Sequence, residues 1–168
     1  MYIRIVSNIN KWDGTENVPR PGTLVCGDAI TDLKTTHNML SIWKVTNDLQ
    51  IDESIAAVAL GRERLSKVSY VILEENEVEQ ELKLSIAVNE GKCRPIIEKS
   101  ILERHRDIIQ LDSRQLESLS AYMLERVQDS HNDDKDNEQI KEIVAAMIMQ
   151  KKVDPTKINE KLKAELGV

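Results

Sequence analysis

Asp28 and Asp32 stand four residues apart within Gly27-Asp28-Ala29-Ile30-Thr31-Asp32-Leu33-Lys34-Thr35-Thr36-His37-Asn38, a segment dense in groups that bind cations or move protons. On a helical turn this spacing puts both carboxylates on one face. There they could share a divalent cation or raise one another's proton affinity. With His37 as a base and Lys44 as an anion contact, the set would serve metal-assisted hydrolysis or nucleotide processing, with metal activating water and the imidazole carrying a proton. The competing reading is structural. Asp28 and Thr31 cap a short turn, Asp32 or Asn38 satisfies loop amides, and His37 sits half-buried with its ring hydrogen-bonded. We carry the structural reading forward and keep the catalytic one as the alternative.

Elsewhere the catalytic signals are weaker. No phosphate-binding glycine loop, dinucleotide fingerprint, nucleophile elbow or paired zinc-ligand motif occurs in the chain, and neither Ser41 nor Cys26 has a neighbouring base in sequence. His105 lies in Glu103-Arg104-His105-Arg106-Asp107, read as an ion-pair network on a helix surface. His131 opens an acidic stretch that lacks the glycine and terminal glutamate of a calcium loop. The expectation is therefore no cofactor and no metal, with Asp28 and Asp32 as the alternative metal ligands.

Two features point to recognition. Glu74, Glu75, Glu77, Glu79 and Glu81 place five carboxylates in eight residues, a field of negative potential that would attract a basic partner surface or else only keep a sheet edge soluble. Residues 138–151 form an apolar arc through Ile140, Ile143, Val144, Met147 and Ile148. An arc this wide must pack on the core, on residues 154–166 or on another subunit. Ile143 and Met147 are its candidate partner contacts.

Composition narrows the field. The chain of 168 residues has net charge −6, with 29 acidic against 23 basic side chains, which disfavours sequence-independent binding to nucleic-acid phosphates. Phe is absent and Trp and Tyr together number five, so the core must be aliphatic and bases find few stacking platforms. No apolar run spans a bilayer and no signal segment is evident at Met1, so the expected address is the cytoplasm, without membrane contact. Cys26 and Cys93 have no metal or redox spacing and read as reduced, buried hydrophobes.

The elements that must position these groups follow from periodicity. Tyr2–Val6, Met39–Val45 and Val68–Leu73 read as strands. A helix over 52–66, capped by Asp52, joins the last two in a right-handed crossover between parallel neighbours. Residues 8–27 read as a long connection that is functional, disordered or hides an unrecognised element such as the short run Thr23–Cys26. Residues 81–88 alternate with period two, turning Leu82, Leu84, Ile86 and Val88 to one face. Helices are expected over 96–110, 113–128, 138–151 and 154–166, with residues 129–138 as a solvated tether.

The chain thus reads as an α+β protein. A mixed sheet of about three to five strands with one βαβ crossover fills the N-terminal half, followed by a helical C-terminal half. Its expected divisions are a core over 1–128, a linker over 129–138 and a helical pair over 139–168. The expected function is non-enzymatic recognition of another protein, as an adaptor, inhibitor or immunity-type partner. The alternatives are the hydrolase centred on Asp28, Asp32 and His37, and an oligomeric structural component joined through its last helices.

Overall fold

The computed structural model describes residues 1–13, 25–89 and 96–168. Gly14, Pro19, Pro21, Gly22, the first half of the Thr23–Cys26 run, and Cys93 lie outside the described residues. Among the described residues the fold is α+β, built on a six-stranded antiparallel sheet in place of the expected mixed sheet of three to five strands, and two of its strands come from the half of the chain expected to be helical. Its strands are β1 (Tyr2–Val6), β2 (Leu40–Lys44), β3 (Val68–Leu73), β4 (Ser85–Val88), β5 (His105–Ile109) and β6 (Asn132–Lys135), in spatial order β4-β5-β2-β1-β3-β6.

β1 carries apolar side chains on both faces, so burial is satisfied only in an interior position. It lies between β2 and β3 and is antiparallel to both, with Ile3 opposite Trp43 on one side and Ile72 on the other. β2 and β3 therefore run in the same direction, as the crossover predicts, but they are not neighbours. β1 has taken the slot between them.

Three expectations are corrected. Residues 96–110, expected to be one helix, form a single helical turn at Lys99–Leu102 and then strand β5. Ile108 is fully buried on one face of β5 and Asp107 nearly so on the other, so a slot between β4 and β2 overrides helix propensity. The tether at 129–138 contains β6, whose charged residues are tolerated because an edge strand keeps part of its surface in water. The strand expected over 81–88 begins only at Ser85. Residues 77–81 wind instead into a π turn, with the Leu82 amide donating to the Glu77 carbonyl at 2.9 Å. Val88, placed on the buried face by the alternation, is 64% exposed.

The described chain forms two compact units, each assembled from three stretches. One boundary between them, from Asp134 to Lys135, falls inside the expected linker at 129–138, and the others lie earlier in the chain. One unit comprises residues 1–44, 69–87 and 106–134. It holds the sheet, the short helices α1 (Asn10–Asp13) and α2 (Gly27–Ile30), and a long helix at Ser113–Gln128, called α5 below. Its core is aliphatic, as composition required, with Trp12 and Tyr2 as the large exceptions. α5 adds Leu119, Met123, Leu124 and Val127 to that core and opens with a capping box between Asp112 and Gln115. It closes with Ser130 in the left-handed region at φ 61° and the His131 amide on the Arg126 carbonyl at 2.8 Å. That reversal brings the His131 carbonyl to the Ile72 amide of β3, 2.8 Å away.

The second unit comprises residues 45–68, 88–105 and 135–168. Its central helix α3 (Asp48–Ala59) is capped by Asn47, whose side chain accepts from the Gln50 amide. The helix therefore starts four residues before the expected cap at Asp52 and ends before Ser66. The single turn at Lys99–Leu102 is α4. α6 (Asn137–Met149) packs against α3 and buries Ile140, Val144 and Met147, and α7 (Glu160–Leu166) ends at Gly167 with φ 75°. Met147, a candidate partner contact, is thus a core residue of this unit, and Ile143 is half-buried. Among the described residues no helix is long and apolar enough to cross a membrane.

Candidate functional site

The segment at 27–38 does not form a constellation. Asp28 is exposed on α2, whereas Asp32 is buried in the 3-10 turn Thr31–Leu33. The Asp32 carboxylate is spent on the scaffold, with Oδ1 accepting from the Ser7 amide at 2.8 Å and Oδ2 from the Trp12 indole Nε1 at 2.9 Å. Arg4 completes this junction. Its Nη1 donates to the Ser41 carbonyl at 2.6 Å and its Nη2 to the Asp32 carbonyl. The guanidinium thus stitches the 3-10 turn to β1 and β2. Burial pushes the Arg4 pKa down to about 10 against the opposing pull of Asp32.

His37 and Asn38 are the two central residues of a tight hairpin turn, at φ 54° and 58°. Thr36 and Met39 exchange backbone hydrogen bonds of 3.1 Å across it, the pattern of a type I′ turn. His37 is exposed at the tip, not half-buried as expected. Lys44 is paired with Glu75. Ser41 donates to Asp107 at 2.9 Å, and Cys26 is a buried free thiol. His105 lies on β5 with Nδ1 3.0 Å from the Asn89 carbonyl, not on a helix, and Glu103 pairs with Lys99 at 3.4 Å. Among the described residues no three His, Cys, Asp or Glu side chains gather as a metal site requires.

The glutamate run has a different fate. Val78, fully buried in the core, pins the π turn and makes the carboxylates around it fan outward. Four of the five meet intramolecular partners. Glu74 pairs with Arg126 at 3.2 Å, Glu75 with Lys44 and the N-terminal ammonium, Glu77 with the Tyr122 hydroxyl and Glu79 with the Tyr2 hydroxyl. The hydrogen bond from Lys44 holds the Glu75 carboxyl below its usual range. Burial, and then the facing carboxylates, push both tyrosine hydroxyls well above theirs.

Glu81, the fifth, is exposed and lines a cleft of about 400 Å³ between the π turn and α5. Glu125 and Asp129, four residues apart at the carboxyl end of α5, face the same space, and Leu82, Ala121 and the Tyr122 ring supply an apolar wall. Arg126 is the cleft's basic residue, yet its charge is committed. Its Nε donates to the Ile72 carbonyl at 3.0 Å, and its Nη groups lie 3.2 Å from Glu74 and 4.0 Å from Glu77. Glu81, Glu125 and Asp129 have no ion pair among the described residues.

This arrangement works against local stability. Carboxylates at a helix carboxyl end oppose the macrodipole, and like charges four residues apart repel, each at a few tenths of a kcal/mol to about 1 kcal/mol. A cation entering the cleft would meet three carboxylates that no described residue pairs, the negative pole of α5 and an apolar wall suited to an aliphatic stem. The five-glutamate run flagged only part of this site. Glu125 and Asp129 were missed, although acids in the last turn of a predicted helix are themselves a signal.

Compared with protein-family models, curated proteins and solved structures, the chain matches none.

Proposed function

We propose that this chain is a non-enzymatic recognition protein whose docking site is the acidic cleft between the π turn and α5, and that its partner is a protein presenting a basic segment. The observation that carries this reading is the trio Glu81, Glu125 and Asp129, without an ion pair among the described residues and set around an apolar wall where the helix dipole already disfavours negative charge. A partner's lysine or arginine would relieve that repulsion, lay its stem on Leu82 and Tyr122, and be steered by the negative field. Of the other four glutamates only Glu77 lines the cleft, and the charges of all four already face Arg126, Lys44 or a tyrosine hydroxyl. The hydrolase alternative has less support, because Asp32 spends both carboxylate oxygens on Ser7 and Trp12 and Lys44 is paired with Glu75.

The test uses an arginine-rich hexapeptide as the probe and calorimetry as the readout. Neutralising the trio together (Glu81→Gln, Glu125→Gln, Asp129→Asn) should weaken binding at least tenfold. Neutralising three exposed carboxylates of the other unit (Glu138→Gln, Glu142→Gln, Glu160→Gln) removes the same formal charge and should weaken it far less. Equal losses from the two triple variants would mean that net charge alone attracts the peptide, and would remove the cleft as the site.

A further inference from the structure

We draw no further inference here: the strongest candidate, the uncharged edge strand β4 with Val88 exposed at the end of the sheet, carries nothing because no feature of the structure shows what covers it.

Discussion

Two stretches of this chain concentrate polar side chains to a similar degree, and the fold uses them in opposite ways. In residues 27–38 the central carboxylate, Asp32, turns inward and holds the β1 end, the indole of Trp12 and the neighbouring turn together. In residues 74–81 a single buried valine anchors the backbone and the carboxylates fan out, leaving Glu81 to join Glu125 and Asp129 at the cleft. A dense polar segment is therefore no guide to a site by itself. The deciding quantity is how much of its hydrogen-bonding and charge capacity the rest of the fold has already consumed.

The comparison can be broken most forcefully at Asp32. Asp32→Ala should destabilise the protein by about 2–4 kcal/mol, because it orphans a buried indole N–H and an amide and leaves Arg4 without its nearby countercharge. The denaturant midpoint reads this directly. An unchanged midpoint would show that Asp32 is not structural and would return it to the catalytic alternative.

Glu53 supplies the same logic in the other unit. It is 5% exposed on α3 and accepts from Arg104 and Lys152, each at 2.6 Å. Burial opposes its charge, yet those two hydrogen bonds prevail and hold its pKa below the ordinary 4.5. A carboxyl whose folded pKa is depressed contributes stability that is present above its unfolded value and lost as pH falls through the folded one. Unfolding followed from pH 7 downward should show this loss beginning near 4.5. Glu53→Gln should flatten that part of the profile and cost roughly 2–3 kcal/mol at neutral pH, because both partners keep some contact with water.

The cleft trio should behave in the reverse sense. Its triple neutralisation should leave stability unchanged or raise it by about 0.5–1 kcal/mol, by relieving repulsion at the end of α5, while the basic peptide loses its grip. A loss of more than about 1 kcal/mol in thermal unfolding would place these carboxylates among the structural ones and erase the contrast with Asp32.

The smallest effect belongs to His37. His37→Gly should be neutral or stabilising by about 0.5 kcal/mol, since relief of a left-handed conformation is partly offset by the freer unfolded chain. Marked destabilisation would show that the imidazole makes contacts that a turn residue does not need.

Legibility in the sequence followed the length and symmetry of each pattern. β1 was read at its observed bounds and β3 likewise, because four apolar residues of five and five of six, set on both faces, leave little alternative. α5 was read at its observed bounds from its apolar stripe, with Asp112 and Ser113 both open as its cap until the structure chose Asp112. β5 and β6 were not read. His105-Arg106-Asp107 and Asn132-Asp133-Asp134-Lys135 have no intrinsic reason to extend, and they do so because neighbouring strands offer backbone partners. The acidity of residues 74–81 was plain, but the tyrosine hydroxyls and Arg126 that engage it come from Tyr2 and α5 and were not.

What the sequence determined by itself was local: which segments bury both faces, where α5 begins and ends, that the core is aliphatic, and that the molecule is acidic. These depend on side-chain period and type, which neighbours in the chain suffice to express. Tertiary structure alone decided which polar groups remain available. Asp32 meets Trp12 from twenty residues away and Glu77 meets Tyr122 from forty-five, and satisfaction of a carboxylate depends on whatever the fold brings within about 3 Å of it.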